Sequence, residues 1–262
     1  MLEPIVFYDI PSNSKNVAWS PNTWKTRYTL NVKGLPYKTV WVEYPDIARL
    51  CDKLGPDATW VGRSGIPIGT LPIIYDPNTR RIVPESAAIA RYLDRTYPDT
   101  PAVIPRETEV LVKAFQSAVY AAFADGFGRL IVPAAHRVLR AASQPFFRST
   151  REEDYKATLE ELAPEGSAQR EEYWKQIEQG FRQIEVWYEA DGSSRLLVMG
   201  DERGVSFADF IVAGWCVWCR ECFGEGSEEW GRIKQWNGGR WAKLLAKMEQ
   251  YSFVDQGEDL QL

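Results

Sequence analysis

Residues 20–47 read SPNTWKTRYTLNVKGLPYKTVWVEYPDI, and this stretch passes from a helix to a strand. Pro21 is favoured at the first position of a helix, and Gly34 is typical of the residue that follows one. Between them, bulky side chains recur on one helical face: Trp24, Tyr28 and Val32. Residues 37–44 are rich in β-branched and aromatic side chains, which predicts a strand, and the apolar residues 4–10 predict another strand before the helix.

The same alternation of elements continues after this stretch. Residues 45–54 predict a second helix, and residues 55–70 form a glycine-rich loop without periodicity. Residues 71–83 contain two short strands around the turn DPNT, and residues 85–97 carry the apolar stripe of an amphipathic helix. The order β-α-β-α-β-β-α suits a small mixed sheet with helices on its faces.

The rest of the chain is predicted to be helical. A proline-rich segment comes first, and then a long helix with an expected bend at Gly126 and Gly128 and an end by Pro133. Further helical segments are predicted beyond it, at residues 167–192, 206–224 and 228–250. Three units are therefore expected: an α/β N-terminal domain at 1–97, a linker at 98–108 and an all-α domain at 109–262.

The composition excludes several classes of protein. The chain has 262 residues, 45% hydrophobic and 26% charged, which is ordinary for a soluble globular protein. A net charge of -5 argues against binding to nucleic acid or to an anionic membrane. The first residues lack a basic n-region, and the longest apolar run, residues 210–219, is too short to span a bilayer. With four cysteines and no sign of a disulfide framework, we expect a reduced, cytoplasmic protein.

Leu71 and Pro72 open the predicted strand after the glycine-rich loop. Proline is tolerated there because the first residue of a strand need not donate a hydrogen bond to the neighbouring strand. The alternative is a cis peptide bond before Pro72, which would turn the backbone N–H and C=O groups of Leu71 toward a bound peptide. The residue types alone leave both readings open.

Glu85 and Ser86 begin the helix after the hairpin. Acidic and hydroxyl residues are favoured there because they cap the first turn. The same position also offers a hydroxyl and backbone N–H groups to a carboxylate, and the Glu85 carboxylate suits an ammonium group. An amino-acid head group carries both charges, so this pair is a candidate for holding one.

Ser20 lies directly before Pro21, where it is a natural N-cap. A hydroxyl at a helix N-terminus can also donate a hydrogen bond to a thiolate. Lowering the pKa of a thiol by about two units from about 8.5 takes about 2.7 kcal/mol. One charge-assisted hydrogen bond of about 1.5–3 kcal/mol and a helix end of about 0.3–1 kcal/mol would supply it without a catalytic histidine.

Together, these features resemble the glutathione transferase family along essentially the whole chain. They are the first strand, the SPNTWKTRYTL segment, the LP and ES pairs, the proline-rich linker and the helical half. The resemblance implies a thioredoxin-like α/β domain joined to an all-α domain, with glutathione as co-substrate. A serine, tyrosine or cysteine near the first helix activates glutathione in that family, and this role falls on Ser20. The residue before the cis-proline pairs with the tripeptide backbone, a role that falls on Leu71 with Pro72.

In the same family a Glu/Gln-Ser pair holds the γ-glutamyl group, and this role falls on Glu85 with Ser86. The stretch quoted first looks closest to the fungal etherase-related transferases, called the FuA class, and to bacterial β-etherases. Members with cysteine at the Ser20 position act as thiol reductases or lyases of glutathione adducts, because cysteine forms a mixed disulfide. Serine therefore favours attack of the glutathione thiolate on an electrophile over disulfide exchange. Other polar side chains lie close enough in sequence to replace or assist it: Ser12, Ser14, Asn16, Asn22 and Thr23.

Two motifs in the helical half are interpreted as structural. SFAD at 206–209 is a capping box in which Ser206 and Asp209 satisfy N–H groups of a buried helix, and the glutathione transferase family has a matching box. Three cysteines show CxxC spacing: Cys216, Cys219 and Cys222. On a helix they spread over one broad face, and a fourth ligand would have to come from the remote Cys51 or His136, so we expect core packing and no metal.

The resemblance places the second-substrate pocket between the first helix and the long helix after the linker. Aromatic side chains of both segments are candidates for this pocket, and each of them also suits a core: Trp19, Trp24, Tyr120, Phe123 and Phe127. The 11 tryptophans of the chain fit either a bulky core or a pocket for flat aromatic ligands. The glycine carboxylate of glutathione has three basic candidates: Arg49, Lys53 and Arg63.

The sequence thus predicts a glutathione transferase of the detoxifying or etherase-like kind, acting on hydrophobic, aromatic electrophiles. A homodimer is the default of the family. The alternative is a glutathione-dependent ligandin that binds aromatic small molecules with little turnover, and a more distant one is a scaffold that keeps the fold without the site. We expect neither nucleic acid nor a membrane among its partners.

Overall fold

The computed structural model describes residues 2–55, 60–61 and 67–261. Strands and helices alternate in its N-terminal part, in the order β1 (Ile5–Asp9), α1 (Pro21–Lys33), β2 (Tyr37–Trp41), α2 (Ile47–Leu54), β3 (Trp60–Val61), β4 (Pro67–Ile68), β5 (Ile73–Asp76), β6 (Arg81–Pro84) and α3 (Ser86–Thr96). β3 and β4 pair with each other, whereas residues 56–59 and 62–66 of the predicted loop lie outside the described residues.

The main sheet is mixed, as the order of elements predicts. Its strands lie in the order β6-β5-β1-β2-β7, with β1 and β2 parallel and with β5 antiparallel to both β1 and β6. The last strand, β7 (Glu258–Asp259), comes from the far end of the chain and pairs in parallel with β2. No sequence pattern predicts this strand, because only two residues form it.

The rest of the described chain is mainly helical. Its helices are α4 (Glu109–Val138), α5 (Gln144–Tyr155), α6 (Leu159–Leu162), α7 (Ala168–Tyr188), α8 (Phe207–Phe223) and α9 (Glu228–Met248). α4 packs along α7 and α8, and α8 packs along α1, so α8 joins the two halves. Within the described ranges, no helix combines the length and the apolar character that crossing a membrane requires.

The predicted end of the long helix at Pro133 is wrong. α4 runs through Gly126, Gly128 and Pro133 and ends at Val138. Proline costs the helix a hydrogen bond, but Val132, Ala134 and Ala135 around it are buried, and their packing holds the turn. The two glycines are sites of close packing, because a Cβ would meet Gln176 and Tyr173 at Gly126, and Tyr155 at Gly128.

α8 is placed against the first turn of α1 by a glycine. Gly214 lies so close to the Pro21 carbonyl that a Cβ would come within 2.8 Å of its oxygen. Further along the two helices, the ring of Tyr28 packs on Phe210 at 5.6 Å between centroids. The beginning of α1, with Ser20 before it, is therefore held directly on the core helix of the second half.

The capping box of α8 is formed by reciprocal hydrogen bonds. The Asp209 carboxylate accepts from the Ser206 N–H at 2.8 Å and from the Ser206 hydroxyl at 2.7 Å. Its other oxygen accepts from the Val198 N–H at 2.8 Å, which ties the preceding loop to the helix. Asp209 and Ser206 are both buried, so water cannot replace these bonds.

We expect Asp209→Ala to lower the free energy of unfolding by about 2–4 kcal/mol, because the buried Ser206 N–H and the half-buried Val198 N–H lose their acceptor at about 1–3 kcal/mol each. The kcat of the protein that remains folded should not change, since Asp209 lies in the core helix. Urea unfolding and steady-state kinetics on the same preparation measure the two effects. A matched control is Ser227→Ala at the partly exposed start of α9, where one cap to the Trp230 N–H is lost. An equal loss in the two variants would contradict a special role of the buried box.

A strap formed by residues 251–260 fastens the end of the chain to the sheet. Asn31 donates to the carbonyls of Tyr251 and Phe253 at 2.7 and 2.9 Å. The Asp255 carboxylate accepts from the Thr39 N–H at 2.8 Å. The strap thus covers α1 and the outer edge of β2 before it ends as β7.

Beneath the strap, Arg27 and Asp9 form an ion pair at 2.8 Å, and neither side chain is exposed. The Arg27 guanidinium also reaches Asp255 at 3.3 Å and lies over the ring of Phe7 at 5.0 Å. Burial raises the pKa of the Asp9 carboxyl, and the neighbouring Arg27 acts against this rise. This pair links β1, α1 and the strap in one buried polar contact.

Candidate functional site

The three predicted site motifs, at Ser20, Leu71–Pro72 and Glu85–Ser86, meet at one edge of the main sheet, the edge formed by the carboxyl end of β1. β1 ends at this edge, and because β5 runs antiparallel to it, β5 begins there. The β5–β6 register places Ile73 opposite Pro84, so Leu71–Pro72 and Glu85–Ser86 lie side by side. The chain leaving β1 leads to Ser20 at the start of α1. The topology thus brings all three motifs to the same edge.

Ser20 occupies the N-cap position of α1, with extended backbone angles of φ -68° and ψ 131°. Its side chain makes no capping hydrogen bond, although serine is among the best residues for this purpose. Ser20 is 6% exposed, so the residue is almost completely buried, beside the positive end of the helix. A hydroxyl that does not cap is available to a ligand.

The polar neighbours of Ser20 are engaged elsewhere. The Thr23 hydroxyl donates to the Ser20 carbonyl at 3.2 Å, and the Asn16 amide donates to Glu221 at 2.9 Å. The Ser12 hydroxyl contacts Ser14 and the Val17 carbonyl. The Ser20 hydroxyl, in contrast, is not engaged in capping α1.

The Leu71–Pro72 peptide bond is cis. Leu71 is buried and precedes the first paired residue of β5, and the Pro72 carbonyl accepts from the Glu85 N–H at 3.1 Å. The two motifs therefore share a backbone hydrogen bond, which fixes the start of α3 relative to the start of β5.

Glu85 adopts a positive φ of 70°, which is unusual for a residue other than glycine. Its carboxylate accepts from the N–H groups of Ala87 and Ala88, both at 3.0 Å, and from the Ser86 hydroxyl at 3.2 Å. Non-glycine residues in such conformations cost about 1–3 kcal/mol and cluster at functional sites. Glu85 thus caps α3, and any bound ammonium would share a carboxylate that is already hydrogen-bonded.

The aromatic candidates divide into two groups. Trp24 packs on Tyr28 at 4.9 Å, and its indole N–H donates to the Ala18 carbonyl at 3.1 Å. It faces a cavity of about 410 Å³ on the side of α1 next to the strap. Trp19 is also buried, and its indole N–H has no partner in the described structure. Both belong to the packing around α1.

The other group lies between α4 and α8. Phe123 and Phe127 pack on Trp215, each at 4.7 Å between centroids, and Trp215 packs on Trp218 at 5.4 Å. Tyr120 meets the edge of this group, with its ring 5.7 Å from Trp215. We call Phe123, Phe127, Trp215 and Trp218 the aromatic wall. Trp215 and Trp218 were not predicted, and the available signal was their three-residue spacing, which places them on one face of a helix.

Several other chemistry-bearing residues named from the sequence lie on α2, α4 and α8. Arg49 and Lys53 are exposed on α2, and Arg63 lies outside the described residues. Cys216, Cys219 and Cys222 are buried in α8, and burial raises the pKa of the Cys216 thiol to about 12. His136 lies near Phe147, and burial together with the charge of Arg148 lowers its pKa. Within the described ranges, no group of histidine, cysteine and acidic residues is arranged to hold a metal ion.

Comparison with known proteins gives consistent matches along the chain. The model of the glutathione S-transferase N-terminal domain matches residues 19–96, and that of the C-terminal domain matches residues 110–251. The glutathione S-transferase-like protein ustS of Aspergillus flavus is 30% identical, over 96% of this chain and 98% of its own length.

Two solved structures of fungal transferases are more similar. CsGST63524 of Ceriporiopsis subvermispora, whose crystal structure is in complex with glutathione, is 49% identical with a TM-score of 0.93, over 97% of this chain and 100% of its own. GSTFuA3 of Phanerochaete chrysosporium is 44% identical with a TM-score of 0.89, over the same shares. The predicted fold and the resemblance to the FuA transferases are confirmed. The chain belongs to the glutathione S-transferase family.

Proposed function

We propose that this protein ionises the thiol of glutathione at Ser20 and transfers it to hydrophobic, aromatic electrophiles, by conjugation or by ether cleavage. The observation that carries the proposal is the Ser20 hydroxyl, which makes no capping bond at the N-terminus of α1. The similar CsGST63524 was solved in complex with glutathione, which supports glutathione as the co-substrate.

The chemistry at Ser20 is stabilisation of charge. The hydroxyl donates to the sulfur while the end of α1 contributes a partial positive charge, and together they favour the thiolate. The thiolate forms a bond to the electrophilic carbon, and the bond from that carbon to an ether oxygen or a halide breaks. The leaving group departs with the electron pair. The loop before α1 has no cysteine, so no disulfide exchange competes.

The remaining motifs would position the tripeptide. Leu71 offers its backbone just before the β5 ladder begins, where a short peptide can add alongside. The N-terminus of α3, with Ser86, suits the α-carboxylate of the γ-glutamyl group. The Glu85 carboxylate, already fixed by two N–H groups, would accept the ammonium group. With these roles, the γ-glutamyl end would lie at α3 and the thiol at α1.

The aromatic wall favours a second candidate function, that of a ligandin. Trp215 and Trp218 are half-buried and pack against the buried rings of Phe123 and Phe127, so their two indoles offer flat ligands an apolar surface, whether or not a reaction follows. A ligandin would bind glutathione without ionising its thiol.

A pH titration of bound glutathione, followed by thiolate absorbance, separates the two functions. We expect the bound thiol to ionise about two pH units below its ordinary pKa of about 8.5. Because the pKa is lowered, the thiolate would be present above roughly pH 6.5 and lost below it. S-methylglutathione, which has no thiol, provides the blank. Tight binding with an ordinary thiol pKa would make the protein a ligandin.

A further inference from the structure

A buried lysine faces the seam between α1 and α4, one turn beyond the start of α1. Lys25 is 3% exposed, and its ammonium donates to the Tyr120 hydroxyl at 2.7 Å and to the Asn22 side-chain carbonyl at 3.0 Å. Among the described residues, no carboxylate forms an ion pair with it, in contrast to the other buried lysine, Lys33, which pairs with Asp94 at 2.8 Å. An ammonium has three donors, so one of the three on Lys25 is left over.

Groups around Lys25 are also incompletely satisfied. Gln116 is buried, and its amide N–H₂ donates to the Tyr120 hydroxyl at 3.1 Å while its carbonyl oxygen has no partner in the described structure. The Tyr120 hydroxyl accepts two hydrogen bonds, and its own hydrogen reaches the already occupied Asn22 oxygen only at 3.4 Å. Hydrogen bonds received from a cation make a hydroxyl a stronger donor. The Tyr120 hydroxyl is therefore a strong hydrogen-bond donor, and its contact with the Asn22 oxygen is long.

This polar cluster opens to solvent beside the aromatic wall. Tyr120 is 38% exposed, whereas Lys25 behind it is closed off, so an entering group meets the tyrosine first. The ring of Tyr120 touches Trp215, which is the edge of the wall. Lys25 follows Ser20 by five residues, a rise of about 7.5 Å along α1. The axial distance between the two residues is therefore within the span of a substituted aromatic ligand.

We propose that Lys25 and Tyr120 form an anion subsite for the second substrate, which selects aromatic compounds that carry a carboxylate, while Gln116 donates to the Tyr120 hydroxyl and holds it in place. The proposal rests on the proposed function, since it names the substrate class of the same site. The aromatic body packs on the wall, and the carboxylate accepts from Tyr120 and from the spare donor of Lys25. A buried cation without a counter-charge gains most from a ligand that supplies one.

The test compares two aryl chlorides of the same shape, 4-chloro-3,5-dinitrobenzoate and 4-chloro-3,5-dinitrobenzamide, each with glutathione. Each kcat/KM is divided by the uncatalysed rate, which removes the difference in intrinsic reactivity. We expect wild type to prefer the benzoate by roughly tenfold, equivalent to about 1.4 kcal/mol. Lys25→Met should abolish the preference by lowering only the benzoate value, and Tyr120→Phe, which keeps the ring, should reduce it. Lys113→Met controls for the change in net charge, because Lys113 is an exposed lysine on α4, the helix that carries Tyr120. This variant should keep the preference for the benzoate.

Three results would overturn the subsite. These are the absence of a preference in wild type, an equal fall of both kcat/KM values in Lys25→Met, and weaker glutathione binding in Lys25→Met, which would assign the ammonium to the tripeptide. Binding of 4-nitrobenzoate against 4-nitrobenzamide by calorimetry tests the subsite without turnover, so it remains decisive if the proposed function fails. Failure of that function appears separately, as an ordinary thiol pKa in bound glutathione. Tyr120→Phe gives the answer if Lys25→Met does not fold.

Discussion

Ser20→Ala is expected to lower kcat/KM at pH 6.5 by about 10- to 100-fold while glutathione affinity changes only slightly. The loss corresponds to one charge-assisted hydrogen bond of about 1.5–3 kcal/mol to the thiolate. In the proposed binding mode the tripeptide keeps its other contacts, at Leu71 and at the start of α3, so its binding should depend little on the hydroxyl. The backbone of α1 should be unaffected, because the hydroxyl does not cap the helix.

The pH profile distinguishes this role from a structural one. The thiol of the variant should titrate near about 8.5, so the deficit is largest below roughly pH 7 and shrinks above pH 9, where the thiol ionises unaided. Ser20→Thr retains a hydroxyl and should recover part of the rate. Ser14→Ala is the matched control, because it removes a hydroxyl of the same loop that already contacts Ser12. A profile of Ser20→Ala that coincides with wild type would show that another group ionises the thiol.

The second large effect is expected on stability. Arg27→Met should lower the free energy of unfolding by about 3–5 kcal/mol, because it leaves the fully buried carboxylate of Asp9 without its cation. A loss of this size in a chain of this length lowers the Tm by roughly 6–20 °C. The variant also removes the contact to Asp255 in the strap.

Urea unfolding of matched variants isolates the cause. Lys38→Met breaks the ion pair between Lys38 and Glu258, which is exposed at 55% and 61%, and should cost less than about 1 kcal/mol. The double variant Asp9→Leu with Arg27→Met removes both charges and should recover much of the loss. If the double variant is as unstable as the sum of the single ones, the lost packing of the guanidinium on Phe7 is the cause, and the orphaned charge is not.

Local signals were sufficient for much of the fold. α1 was predictable because Pro21 and Gly34 mark its ends, and α8 because its capping box precedes an apolar run. The end of α4 was not, since the packing of Val132 and Ala135 outweighs the cost of Pro133. Such packing depends on residues distant in the chain.

In the candidate site, too, local motifs were predictable from the sequence, and features that depend on packing were not. Ser20, Leu71–Pro72 and Glu85–Ser86 are short motifs with their own chemistry, and they were recognisable one by one. The aromatic wall needed knowledge of how α4 and α8 pack, so Trp215 and Trp218 looked like ordinary core residues. The missing counter-charge of Lys25 is likewise visible only in three dimensions, because it depends on what α4 places opposite α1.

The strap affects folding during synthesis, because it is translated after the sheet that it covers. On the ribosome, β1, β2, β5 and β6 are made long before residues 255–259, which supply the neighbour of β2. Until then the nascent sheet has β2 as an open edge, which is a template for pairing with another chain. The helical half must also emerge before this edge is covered, so β2 remains an open edge while the whole helical half is synthesised.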